Sequence, residues 1–265
     1  MRTDRQVAIQ ADKVGVGPLI EAQELSHTYP TDNGGVRAIA DLSFSVARHE
    51  IIGVVGPSGC GKTTLLKVMA GLLSPTEGKM LFEREVLVGP RRRIGLVFQK
   101  ANLMPWRTVI QNISLPLELS HHTTALTRER AIEMVELVGL EDFADTYPHD
   151  LSGGMEQRVA IGRTLIHAPD VLLLDEPFGA LDALTREKMG LTLLEIWSTS
   201  RPTIVFVTHS ITEAVFLADR VLVLTPRPGR IRLALDVKLP RPRELEMTYT
   251  SEFGALARQV RAAIG

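Results

Sequence analysis

The sequence predicts an α/β fold, a mostly parallel sheet covered by helices on both faces. Two observations carry this expectation. Apolar runs too short to be helices, at residues 171–174, 204–207 and 221–224, alternate with helix-length segments in the second half of the chain. In the first half, a glycine-rich loop joins the apolar run at 51–55 to a segment that resumes as a helix at Lys62.

The elements follow in order. Residues 42–46 read as a strand with Leu42, Phe44 and Val46 on one face, and 51–55 and 93–98 read as further strands. Pro105 and Pro116 then punctuate a mixed stretch that opens a helical insertion. Within it Ile132, Val135, Leu137 and Val138 recur at helical spacing, with Thr127 as the expected N-cap and Gly139 as the stop. A strand over 171–174 leads to a helix from about Asp182 to Ser198, and a second strand over 204–207 leads to a helix capped by Ser210 with Glu213 as a capping box. The Pro- and Arg-rich stretch 225–243 reads as an exposed strand and linker. An amphipathic helix on Phe253, Leu256, Val260 and Ile264 closes the chain.

The composition narrows the function classes. With 265 residues and 45% hydrophobic content, the chain buries a sizeable core in one large or two modest domains. Its 30 Lys and Arg balance 31 Asp and Glu, which argues against nucleic acid or anionic lipid as the main partner. The single cysteine, Cys60, rules out an internal disulfide framework and suits a reducing compartment. The charged first 18 residues do not read as a signal peptide, and no run approaches the ~20 apolar residues of a membrane span. The expectation is a cytoplasmic chain.

Residues Gly56, Pro57, Ser58, Gly59, Cys60, Gly61, Lys62 and Thr63 fit the pattern G-x-x-x-x-G-K-[ST], with Thr64 following in the helix. Glycines let backbone N–H groups converge on a phosphate, the helix start adds its positive end, and Lys62 supplies a point charge. Thr63 is the expected Mg²⁺ ligand, and Cys60 reads as loop filler rather than a nucleophile. Such a loop indicates an NTPase or a kinase. A second piece, Asp175 and Glu176, emerges from the apolar run at 171–174. Asp175 can hold Mg²⁺ through water and Glu176 can polarise a water aimed at the γ-phosphate; capping of the next segment is the plainer alternative. Phosphoryl transfer rests on positioning and charge neutralisation, so no Ser/His/Asp triad is required.

The third piece, "LSGGMEQR" at 151–158, opens a helix 23 residues before Asp175. Together with the phosphate loop it resembles the ATP-binding cassette (ABC) ATPases, from about Leu19 to Arg230. The resemblance implies a P-loop NTPase core with a mostly parallel sheet, an antiparallel β subdomain and an inserted α-helical signature subdomain at about 101–165. Residues 1–18 and 231–265 are then terminal extensions. It also implies that Leu151, Ser152, Gly153, Gly154 and Met155 of one subunit close over ATP held by another. Gln99 resembles the Q-loop glutamine, which senses Mg²⁺ or the attacking water. His209 resembles the switch histidine at the γ-phosphate, and Asp182 the D-loop aspartate, which on its own reads as an N-cap. Tyr29 resembles the ring that stacks on adenine. Met155 stands where the commonest signature has glutamine, and Glu156 is expected to face solvent or a partner rather than the phosphates.

More narrowly, "QKANLMPWRTVIQNI" and "DEPFGALDALTR" resemble the nitrate, sulfonate and taurine importer branch. That resemblance implies a homodimer bound to integral permease subunits on the cytoplasmic face of the inner membrane, served by an extracytoplasmic solute-binding protein, with no nucleic acid. Leu103, Met104, Pro105 and Trp106 would form an apolar ledge for a permease helix, or else pack within the insertion. Two rivals stand beside this: a soluble cassette acting on nucleic acid or ribosomes, and a small-molecule P-loop kinase. The kinase leaves 151–154, Asp182 and His209 unexplained.

Overall fold

The computed structural model describes residues 17–32, 34–120, 125–179 and 181–265, with the backbone alone for 125 and 126. Most of the predicted N-terminal extension lies outside the described residues. The chain runs β1 (Ile20–Tyr29), β2 (Val36–Val46), β3 (Ile51–Val55), α1 (Lys62–Met69), β4 (Glu77–Phe82), β5 (Glu85–Val86) and β6 (Ile94–Val97). It continues through α2 (Val109–Leu119), α3 (Ala125–Leu137), α4 (Gly153–Leu165), β7 (Val171–Asp175) and α5 (Ala183–Ser200). Last come β8 (Thr203–Val207), α6 (Ile211–Leu217), β9 (Arg220–Leu224), β10 (Ile231–Asp236) and α7 (Ser251–Ile264).

The apolar runs are strands because both faces of their sheet are covered. In the order β10-β9-β3-β8-β7-β6, every pair is parallel except β9 with β10, and each residue of β3, β7, β8 and β9 is buried. Side chains alternate between two cores, as a period of two requires. On one side Leu172, Leu174, Phe206 and Val221 pack with Ala160, Trp197, Phe216 and Phe253 from the helices. On the other, Ile52, Val54, Leu173 and Leu222 pack with Leu65 and Met69 of α1 and with Leu25 and Phe44. Those last two belong to a second, antiparallel sheet in the order β2-β1-β4-β5. Helices α2, α3 and α4 enclose a third cluster, with Val109, Ile113, Val135, Val138 and Val159 at its centre.

Three expectations need correction. Thr127 lies inside α3, which begins at Ala125, so it is not the N-cap. Ile132 is 42% exposed, because the buried stripe runs through Ala131, Val135 and Val138, one helical face removed. At α6 the capping box is only half formed. Ser210 Oγ accepts the N–H of Glu213 at 3.3 Å, but the Glu213 carboxylate accepts from the Thr208 hydroxyl instead of the Ser210 amide. Gly139 does end α3, at φ +63°, with the N–H of Leu140 donating to the carbonyl of Val135 at 3.0 Å. The closing helix is as expected: Phe253 and Val260 are buried, with Leu256 and Ile264 half-buried against the same core.

Candidate nucleotide site

Parallel pairing aligns the C-terminal ends of β3, β7 and β8, and the loops leaving them meet at one edge. The loop after β3 ends at Gly61, whose φ of +102° suits a residue without a side chain. A Cβ there would lie 2.5 Å from Ile39 Cγ2 and 2.7 Å from the Ala38 carbonyl oxygen. Gly61 caps α1, and no acidic side chain occupies the first turn, which leaves its amides available to an anion. Lys62 is 7% exposed and donates from Nζ to the carbonyls of Gly56 at 2.9 Å and Pro57 at 3.1 Å. Cys60 is buried, and burial pushes its thiol up, against the pull of Lys62, which disfavours the reactive thiolate.

Asp175 ends β7, and Thr63 Oγ1 donates to its Oδ1 at 3.0 Å. Burial raises the Asp175 carboxyl above its ordinary range, with the neighbouring Glu176 charge adding to it, while the Thr63 bond opposes the rise. Glu176 adopts φ +48°, a left-handed conformation uncommon for a residue with a side chain, and its amide is held by the Val207 carbonyl at 3.0 Å. Its Oε2 accepts from Gln99 Nε2 at 3.1 Å and lies 3.6 Å from His209 Nδ1. Thr63 and Asp175 offer hard oxygen donors, the set that suits Mg²⁺ completed by water and phosphate oxygens. No cluster of three or more His, Cys, Asp or Glu able to hold a metal by itself occurs among the described residues.

A cleft of about 420 Å³ opens over these groups, lined by Ser58, Gly59, Lys62, Thr63, Gln99 and Glu176 among others. Tyr29 forms one wall. Its hydroxyl lies 3.2 Å from Thr64 Oγ1 and its ring packs edge-on against His27 at 4.7 Å between centroids. An anion cradle at α1, the Glu176 carboxylate and an aromatic wall make a site able to take a phosphorylated ligand that carries a flat ring.

Comparison with known proteins agrees with this geometry. The family described as "ABC transporter" matches residues 39–179. An ABC transporter ATP-binding protein of Methanocaldococcus jannaschii is 48% identical over 225 residues, 85% of this chain and 84% of that one. The chain belongs to the ABC transporter ATP-binding protein family. This ABC ATPase is also 42% identical over 224 residues to an aliphatic sulfonates import ATP-binding protein, SsuB, of Bacillus cereus, covering 84% of this chain and 88% of the relative. Among solved structures, a dimeric post-hydrolysis ATP-binding cassette bound to ADP and phosphate superposes with a TM-score of 0.74 at 31% identity, covering 83% of this chain and all of that one.

The rest of the ABC signature stands apart from the cleft. Ser152 caps α4, accepting the N–H of Met155 at 3.3 Å, and none of Leu151, Ser152, Gly153, Gly154 or Met155 lines the cleft. Glu156 is half-buried in the first turn of α4 and does not line it either. Asp182 caps α5 by accepting the N–H of Thr185 at 3.0 Å, a bond that holds its carboxyl below the ordinary range. Arg227, Val36 and Ala38 line the cleft without having been singled out in the sequence. Arg227 donates from Nε to the Gly59 carbonyl at 3.1 Å, and Gly229 comes so close that a Cβ would lie 2.1 Å from the Cys60 carbonyl oxygen. The available signal was positional: the turn after β9 must lie beside the phosphate loop, because β9 is the parallel neighbour of β3.

Proposed function

We propose that this ATPase drives uptake of a small anionic solute, an aliphatic sulfonate, taurine, nitrate or a relative, as the ATP-hydrolysing subunit of a membrane importer. The observation that carries the reading is the meeting of Gln99, Glu176 and His209 beside the phosphate loop, with Glu176 Oε2 shared by the other two side chains. The 42% identity to a sulfonate import protein favours the solute class.

In this reading residues 56–64 hold the phosphates, with Lys62 turning from its loop carbonyls to the outer phosphates, and Tyr29 stacks on adenine. Thr63 and Asp175 would hold Mg²⁺, the latter through water, with Gln99 as a further ligand, and the ion would supply charge neutralisation on the phosphates. Glu176 accepts a proton from the attacking water as the oxygen bonds to the γ-phosphorus, and ADP departs with the bonding electrons. His209 steadies the γ-phosphate and Gln99 orients Glu176. Leu151–Met155 do not line the cleft of their own chain, which supports their completing the site of a second copy in a head-to-tail homodimer, where Asp182 faces the junction.

Trp106, 70% exposed, with Pro105 exposed and Leu103 and Met104 half-buried beside it, is the docking ledge for the permease. No helix among the described residues is long and apolar enough to cross a membrane. In this reading the permease holds the chain peripherally at the cytoplasmic face. A solute-binding protein outside the membrane delivers the solute, and nucleic acid plays no part. Residues 19–230 form the cassette, 101–165 its helical subdomain, and 1–18 and 231–265 are extensions. The test is ATP-dependent uptake of an alkanesulfonate into vesicles holding the chain with its permease and binding protein. Uptake of nitrate in place of the alkanesulfonate would keep the anionic class and change its member, uptake of an uncharged or cationic solute alone would redirect the class, and ATP-stimulated RNA or DNA binding without uptake would favour the nucleic-acid rival.

A further inference from the structure

Helix α4 grips the loop that carries Gln99 on both sides. Gln157, 4% exposed, donates from Nε2 to the Phe98 carbonyl at 3.3 Å. Arg163 donates from Nη2 to the Ala101 carbonyl at 2.7 Å and from Nη1 to the Asn102 carbonyl at 3.0 Å. Burial pulls the Arg163 guanidinium below its ordinary range, and it has no carboxylate partner among the described residues; its charge rests on those two carbonyls. Behind the grip, α4 lies so near β6 that a Cβ on Gly95 would fall 2.3 Å from Thr164 Cγ2. Between the two grips Gln99 and Lys100 are exposed, and Gln99 reaches Glu176.

We propose that Gln157 and Arg163 are positioning residues for Gln99. They join loop 98–102 to α4 as one rigid unit, so the helix that begins at Ser152 fixes where the Gln99 amide meets Glu176. A desolvated arginine spent on two loop carbonyls gives directional restraint that an apolar contact would not. The inference rests on the reading of Gln99 and Glu176 as hydrolytic residues, and two measurements separate the two claims.

The first is amide hydrogen exchange of the full chain over residues 98–103. Arg163→Met and Gln157→Leu, the latter near-isosteric should the former fail to fold, speed exchange there about tenfold and leave α4 unchanged. The second is single-turnover hydrolysis at saturating MgATP. Each substitution slows it about tenfold with ATP affinity kept within about twofold, and the same substitution in a Gln99→Ala background costs less than about twofold more. Arg163→Lys, able to reach one carbonyl at a time, recovers part of the rate. Unchanged exchange overturns the grip. Multiplicative losses in the Gln99→Ala background overturn the positioning role even where exchange rises. Full-rate hydrolysis by Gln99→Ala overturns the hydrolytic reading of Gln99, and the exchange result alone then decides the grip.

Discussion

The Thr63 hydroxyl donates to Asp175 Oδ1 across 3.0 Å, tying the first turn of α1 to the end of β7 and placing two hard oxygen donors side by side. The bond partly offsets the burial that raises the Asp175 carboxyl. A raised carboxyl means that the folded chain binds a proton more readily than the unfolded one. Asp175 therefore costs stability at neutral pH, and the cost disappears as pH falls through the raised value toward the ordinary 3.8. Asp175→Asn keeps an acceptor for Thr63 and should raise the metal-free melting temperature at pH 7 by about 2–4 °C, with the gain vanishing in acid. Melting curves of the two proteins from pH 7 to pH 3 check this. The same variant should lose Mg²⁺-dependent hydrolysis.

Glu176→Gln should bind ATP as before and hydrolyse it about 10²- to 10⁴-fold more slowly, since the amide is not a base. The substitution leaves an acceptor for the 3.1 Å bond from Gln99, so the site keeps its shape. Equilibrium binding of labelled ATP beside phosphate release separates the two effects.

Gly61→Ala should lose ATP binding and destabilise the chain by about 2 kcal/mol or more. The added methyl meets Ile39 and the Ala38 carbonyl at a backbone angle that already disfavours it. Gly153→Ala is the control for stability alone, because nothing lies within 4 Å of a Cβ there. Denaturant titration of both variants reads the difference.

Trp106→Ala should leave the isolated chain's stability within about 0.5 kcal/mol, as expected for a side chain 70% exposed, and weaken capture of the permease by about 2 kcal/mol. A lowered melting temperature with unchanged permease binding would place Trp106 in the fold instead of the interface.

Much of the parallel sheet was legible because doubly covered strands leave a plain mark: Val171–Asp175 and Thr203–Val207 are apolar almost throughout and end in chemistry. The phosphate loop was legible for a similar reason, since the loop geometry needs its glycines where they stand. The antiparallel sheet was mostly silent. β1 mixes buried and exposed residues, with shifts of register after Ala22 and Leu25 that break the alternation a reader would look for. In helix α3 the expected Val135 and Val138 do lie on the buried stripe, but Ala131 was overlooked because it carries little hydrophobic signal, while the exposed Ile132 carries much. Arg227 was missed since its role comes from the pairing of β9 with β3, and neighbouring residues do not record a sheet order. The grip of Arg163 on Ala101 and Asn102 joins positions about 60 residues apart, a contact that only the folded chain reveals.

A head-to-tail dimer makes each nucleotide site a composite of two chains, and mixed dimers test that arrangement. Lys62→Ala removes the phosphate-loop charge, and Ser152→Arg blocks the start of α4; each variant alone should be inactive. When the two are mixed, a heterodimer with head-to-tail sites carries both defects in one site and none in the other. Single-turnover hydrolysis by heterodimers confirmed by mass should then recover roughly one active site per dimer. Recovery of none, as expected if each chain's phosphate loop and signature served the same nucleotide, would rule out the head-to-tail site.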